Sequence, residues 1–268
     1  MLRLAEVSFG LEGERIISKI SFTLGQGEFA ALLGENGAGK STLCRLSMGL
    51  LKPAAGRVLV CGQDTAAVKT SAIARQAGFL FQNPDRQICR PSVAGEIMLG
   101  LELTVPDPAE RERRCRETLA LFSLDPEAHP FNLSRGERQL LALASVLAPG
   151  PRLLILDEPT TGLDYRECMT VMEIIARRNR EGATVLMVSH DMEVASDFAR
   201  RVLVLNRGEL AGDGPVREIM RDQALLQRAS LLPPQIPALA LSLGGQFAAA
   251  FTIEEMAALA ANSRRGRL

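Results

Sequence analysis

Apolar residues along this chain recur with two periods, and the period changes at recognisable turn residues. Over 2–9 and 16–24, apolar and polar positions alternate as in half-buried strands, with a glycine-containing turn between them. Shorter runs at 28–33, 58–61, 78–81, 153–156 and 184–188 also read as strands, apolar nearly throughout. Between them, 40–50, 92–103, 108–122, 136–147, 165–180 and 191–198 carry helical spacing. Residues 201–205 and 209–211 form a final hairpin. Short apolar strands alternating with helices predict an α/β protein with a parallel sheet covered on both faces. The two alternating strands at the front predict an additional antiparallel β layer. From Pro215 onward the character changes to short helices broken by "LLPPQIP" and "LGGQ". The expected division is 1–214 for the main domain, with a helical subdomain at about 92–148, and 215–268 for a small C-terminal helical domain.

Composition narrows the function classes. The 268 residues carry 31 basic and 31 acidic side chains, and the chain has no Trp and one Tyr. Neither a basic surface nor a base-stacking platform is available, so no nucleic-acid partner is expected. The five cysteines are scattered and never in C-x-x-C spacing, which fits reduced thiols better than a disulfide or zinc framework. The N-terminus lacks a signal-peptide core, and no stretch offers about 20 uninterrupted apolar residues. The expectation is a cytosolic protein that could sit on a membrane partner. The arginine- and glutamate-rich run at 110–117 reads as a solvated helix face. The basic tail at 263–268 reads as flexible, open to attraction by anionic lipid.

Candidate chemistry begins at "LLGENGAGKST", which follows an apolar strand and opens a helix. Gly34, Gly39, Lys40 and Ser41 fit G-x-x-x-x-G-K-[ST], a loop whose backbone N–H groups wrap a polyphosphate at a helix N-terminus. Lys40 would reach the terminal phosphates, and the Ser41 hydroxyl would ligate Mg²⁺. In "LLILDEPTTGLD", an apolar strand delivers Asp157 and Glu158 to its C-terminal end, where α/β sheets bind ligands. Asp157 would hold Mg²⁺ through water, and Glu158 would polarise an attacking water. A strand-end Asp that merely caps the next helix is the plainer alternative. "TVLMVSHDME" repeats the geometry with His190, one of two histidines. His129, in a loop, reads as structural. "NLSRGERQLLALASVLA" opens a helix with Ser134 and has Glu137 three residues on, a capping box. Besides starting a helix, Ser134 and the Gly136 N–H could offer donors to a phosphate. "GFLFQNPDRQICRPSV" places Gln82 at the tip of a core strand, before a stiff proline-bounded loop.

The order of these motifs over 2–214 resembles the ATP-binding cassette ATPases. The resemblance implies the P-loop NTPase fold of that family, with an antiparallel β subdomain and a helical subdomain. It implies ATP and Mg²⁺ as cofactors, with ATP bound by Gly34, Glu35, Asn36, Gly37, Ala38, Gly39, Lys40, Ser41 and Thr42. Glu158, His190 and Gln82 would be catalytic; Ser41, Gln82 and Asp157 would face the metal, Asp157 via water. The signature Ser134, Arg135, Gly136 and Glu137 would act in trans, across a head-to-tail dimer closing on two ATP. "FQNPDRQ", "LLPPQIPALALSLG" and "FTIEEMAAL" are similar to the ATPase subunits of energy-coupling-factor importers, which take up vitamins or ions such as cobalt and nickel. That likeness implies partners: a transmembrane scaffold, a small solute-binding membrane subunit and a second ATPase subunit, identical or related. The chain would work at the cytoplasmic face of the membrane. The loop from Asn83 to Gln87 would line the groove that receives the scaffold's coupling helices, and the C-terminal domain would help to hold the dimer.

Two departures from the family pattern bear on turnover. Arg135 stands where Gly is usual and Glu137 where Gln is usual, so ATPase activity is expected to be reduced but present. Arg135 would be strained if that backbone needs φ > 0, and could otherwise contact phosphate. The adenine-stacking position is usually aromatic; here Leu11 is the candidate, with Phe9 nearby, so adenine would be held by apolar contact. The alternatives are the ATPase of a conventional ABC transporter, a soluble ATP-switched clamp, and a nucleotide-binding regulator without turnover. The chain has no long coiled-coil insertion and no second phosphate loop, which argues against the clamp.

Overall fold

The computed structural model describes residues 1–265; the basic tail read at 263–268 runs beyond the described residues. The chain opens with the hairpin β1 (Leu2–Leu11) and β2 (Glu14–Leu24), then β3 (Phe29–Leu33) and α1 (Lys40–Ser47). β4 (Ala55–Val60), β5 (Gln63–Asp64), the short α2 (Thr70–Ala74) and β6 (Ala77–Leu80) follow. Three helices come next: α3 (Val93–Thr104), α4 (Pro108–Phe122) and α5 (Arg135–Leu147). Alternation then resumes with β7 (Leu153–Asp157), α6 (Tyr165–Arg180), β8 (Thr184–Val188), α7 (Met192–Phe198), β9 (Arg201–Asn206) and β10 (Glu209–Pro215). The chain ends with α8 (Val216–Ile219), α9 (Gln223–Arg228), α10 (Gln235–Leu243) and α11 (Ile253–Arg265).

Two sheets result. An antiparallel layer has the order β2-β1-β4-β5, and the central sheet runs β10-β9-β3-β8-β7-β6. Within the central sheet β9, β3, β8, β7 and β6 are parallel, and β10 pairs antiparallel on the edge. Every residue of β3, β7 and β8 is buried, and this is why these strands read as continuous apolar runs instead of alternating ones. Their successive side chains still serve opposite faces. Phe29, Ala31 and Leu33 join a cluster with α3, α5 and α6, whereas Ala30 and Leu32 pack with α1 and the antiparallel layer.

Sequence expectations hold for most elements and fail where turn chemistry intervenes. The helix expected over 40–50 ends at Ser47, because Gly49 turns the chain with φ 67° under the side chain of Thr65. The strand expected at 58–61 belongs to the antiparallel layer and starts earlier, at Ala55. β10 continues to Pro215, well past Ala211, pairing with β9 over its whole length, and its half-buried positions beyond Leu210 are glycines that leave no apolar alternation to read. Arg113 is ion-paired to Glu110 and Glu117 along α4, consistent with a solvated face. Past β10, Ile219, Met220, Leu225, Ala229 and Phe251 share the cluster that covers one face of the central sheet. Among the described residues no helix is long and apolar enough to cross a membrane.

Candidate functional site

The parallel register brings four strand ends level. Leu32 of β3 pairs with Val188 of β8, Val188 with Asp157 of β7, and Leu156 with Leu80 of β6. The residues that follow these ends therefore gather along one sheet edge.

After β3 the chain turns through Gly34–Gly39 into α1. Gly34 has no room for a side chain: a Cβ would lie 2.2 Å from the Leu205 carbonyl oxygen. Gly39, at φ 102°, would drive a Cβ to 2.8 Å from Ile17. The β9–β10 turn braces the loop, since the Gly208 N–H donates to the Ala38 carbonyl at 3.1 Å. Lys40 is only 7% exposed and donates from Nζ to the carbonyls of Gly34 (2.7 Å) and Glu35 (2.9 Å). Burial lowers its pKa from the ordinary lysine value, partly opposed by Glu158 and Asp157. A buried ammonium inside a ring of backbone amides is a ready anion site.

Asp157, 3% exposed, ends β7 beside α1. Its carboxyl is pushed up by burial, against the pull of a hydrogen bond to Ser41. Its Oδ1 is buried without a hydrogen-bond partner. An unsatisfied hard oxygen next to a hydroxyl fits Mg²⁺, which takes few protein ligands and keeps water and substrate oxygens around it. Asp157 does not cap the next helix: Asp164 does, by donation of the Glu167 N–H to its carboxylate at 2.8 Å.

Glu158 sits at φ 57°, left-handed and uncommon for a non-glycine residue. That geometry turns its side chain to three donors. Gln82 Nε2 donates to Oε1 at 3.0 Å; Thr161 Oγ1 donates to Oε2 at 3.0 Å. His190 Nε2 lies 3.1 Å from Oε2. So Gln82, Glu158 and His190, far apart in sequence, meet at one carboxylate. Thr161 was not foreseen. Neither was Gln139, which is 1% exposed and donates to the carbonyls of Glu158 and Pro159, each at 3.3 Å. A glutamine on the otherwise apolar face of α5 was the only sequence signal for it.

The second group stays separate. Ser134 and Glu137 close the expected capping box, with the Ser134 N–H donating to Glu137 at 2.7 Å and the Glu137 N–H to Ser134 Oγ at 3.2 Å. The first of these bonds holds the Glu137 carboxyl below its usual range. Arg135 begins α5 without a positive φ, so it is unstrained, and its side chain lies along Gly162. Ser134, Arg135 and Glu137 are exposed, and among the described residues no hydrogen bond or ion pair joins 134–137 to 34–42. Leu11 is 53% exposed at the β1–β2 turn, and Phe9 is half-buried. His129 accepts locally from the Phe131 N–H at 3.3 Å. Gln87 turns inward, donating to the Ala142 carbonyl at 2.9 Å, while Asn83, Asp85 and Arg86 are exposed.

Comparison with known proteins sets this geometry in context. A family model described as "ABC transporter" matches residues 17–161. The chain is 43% identical over 236 residues to a Methanosarcina acetivorans protein provisionally named an ABC transporter ATP-binding protein, covering 87% of this chain and 38% of the relative. It is 40% identical over 241 residues to the energy-coupling factor transporter ATP-binding protein EcfA of Methanothermobacter thermautotrophicus, covering 88% of this chain and 77% of that protein. Among solved structures, cbiO1 from Clostridium perfringens, part of the ABC transporter complex cbiONQ, superposes with a TM-score of 0.74 at 28% identity, covering 89% of this chain and 97% of that one. The chain spans about two fifths of the length of the first curated relatives it matches.

Proposed function

The chain belongs to the ABC transporter family, and from that premise we propose that it is the ATP-hydrolysing subunit of an energy-coupling-factor importer. The cargo would be a transition-metal ion or a vitamin, moved through a membrane partner on whose cytoplasmic face the chain sits. One observation carries the catalytic part. A buried Lys40, a buried unpartnered Asp157 oxygen and a Glu158 gripped by Gln82 and His190 line one sheet edge.

In this reading the amides of 34–42 and Lys40 hold the phosphates of ATP. Mg²⁺, when bound, neutralises developing charge on the phosphoryl oxygens, with Ser41 and Asp157 as its holders. Glu158 accepts the proton of the attacking water. Gln82, Thr161 and His190 fix where its two oxygens point, which is the positional part of the catalysis. The signature residues 134–137, of which Ser134, Arg135 and Glu137 are exposed, would meet the nucleotide of a second ATPase subunit, identical or related. Leu11 would supply apolar contact to adenine. Exposed Asn83, Asp85 and Arg86 would meet the transmembrane scaffold, which works with a small solute-binding subunit. The likeness to EcfA and to cbiO1 supports the importer subtype.

Phosphate release tests the chemistry. Glu158→Gln should bind ATP with unchanged Kd and lose about 10²–10⁴ in kcat, the usual worth of a general base. Equal loss of binding and turnover would remove Glu158 from that role. Co-purification from detergent-solubilised membranes tests the partner. One transmembrane scaffold with a small solute-binding protein is expected; a pair of ordinary permease subunits would make the protein a conventional transporter ATPase.

A further inference from the structure

Gln139 stands where the two halves of the candidate site touch. It lies on α5, between the signature residues at the helix start and Ala142, whose carbonyl accepts from Gln87. Its amide holds the carbonyls of Glu158 and Pro159. From the other side, the Glu158 N–H donates to the Val188 carbonyl at 3.1 Å, and the Thr161 N–H donates to the Glu158 carbonyl at 3.3 Å. The left-handed turn at Glu158 is therefore clamped between β8 and α5. A backbone conformation that an L-residue disfavours persists only where its surroundings over-determine it.

The clamp has a second arm on the same helix. The guanidinium of Arg138 lies 2.8 Å from Asp85, just past Gln82, the residue that donates to Glu158 Oε1. Ser134 caps α5 and Gln139 lies on the same helix about 7.5 Å further along its axis, so the i→i−4 hydrogen bonds of the helix connect the two directly. We propose that Gln139 is a positioning residue for Glu158, through which the signature helix and the carboxylate move as one unit. This rests on the ATPase reading above. In a head-to-tail dimer Ser134 meets the partner's nucleotide while Glu158 serves its own, so Gln139 links the two sites. It touches no reacting atom itself.

The test compares Gln139→Leu, which fills the space without a donor, with Gln139→His, which retains a ring N–H donor. In Gln139→Leu, kcat should fall roughly 10–100-fold, as displaced catalytic groups typically cost, with the Kd for ATP unchanged. The Hill coefficient for ATP should drop toward that of independent sites, and Gln139→His should recover part of both. Hydrogen exchange of the Glu158 and Thr161 amides, measured on the nucleotide-free full chain, should quicken about tenfold in Gln139→Leu while the β9–β10 hairpin stays protected. Wild-type kcat, Hill coefficient and exchange in Gln139→Leu would overturn the proposal and leave the ATPase reading standing. Faster exchange throughout the chain would also overturn it, by making Gln139 a general packing residue. Absence of phosphate release from the wild type would sink the ATPase reading; exchange at the turn would then still decide whether Gln139 holds it.

Discussion

Asp157 and Glu158 are neighbours in sequence and opposites in surroundings. Glu158 has its oxygens met by Gln82, Thr161 and His190, while Asp157 keeps one oxygen buried and unmet. An upward-shifted carboxyl pKa means that the folded state disfavours its charge, burial being the main cause and Glu158 adding to it. Replacing that charge by a neutral group of the same shape should therefore stabilise the metal-free protein. Asp157→Asn is expected to raise Tm without Mg²⁺ by a few degrees, about 1 kcal/mol for a chain of this size, and to abolish the added stability that Mg²⁺ with ATP confers. A lower Tm in a calorimetric scan would show that attraction to Lys40 outweighs burial. Stability sacrificed at a site is a common mark of function.

At the scale of the element, α5 is the informative case. Its capping box was legible in the order Ser134, Arg135, Gly136, Glu137, because local hydrogen bonding decides helix starts. The strain considered for Arg135 is absent, since the residue is already helical. Its bulk is what remains: the side chain lies over Gly162, in the turn that leads to α6. Arg135→Gly should expose that turn to the phosphate of a second subunit and raise the rate of phosphate release. The same change should lower Tm slightly, because glycine costs about 1 kcal/mol in a helix. A rate below wild type would make the guanidinium a phosphate contact in its own right.

For the whole molecule, the question is how the segment after β10 is attached. Phe251, 5% exposed, is flanked by the guanidinium groups of Arg217 at 5.0 Å and Arg221 at 5.6 Å, and Arg217 pairs with Glu255 of α11. The backbone N–H of Gln235, at the start of α10, donates to Glu193 of α7 at 2.7 Å. These contacts, with the donation of Arg221 to the carbonyls of Ala249 and Ala250 and the burial of Ala240, help to hold α10 and α11, whose Leu239, Leu243 and Ile253 remain exposed. Phe251→Ala should cost about 3 kcal/mol, the lower end for a buried phenylalanine. Limited proteolysis should then cut first between α9 and α11. Unchanged cutting would mean that the buried Ala240 and Ala250 and the Arg221 hydrogen bonds, not Phe251, fix the segment.

What the chain could announce by itself was local. Strand ends, the glycine loop before Lys40, the Asp157–Glu158 pair and the Ser134 cap are short-range patterns, and each follows from backbone chemistry within a few residues. The parallel sheet followed as well, because uninterrupted apolar strands have nowhere else to go. Tertiary structure alone decided which distant residues meet at one residue: Gln82, Thr161 and His190 on the Glu158 carboxylate, and Gln139 on the backbone behind it. Those contacts depend on strand order and register, and on the side of α5 that faces the sheet. Periodicity states that a face is buried; it does not state against what. A single buried glutamine on an apolar stripe therefore reads as noise in the sequence and becomes a clamp only once β7 is laid beneath it.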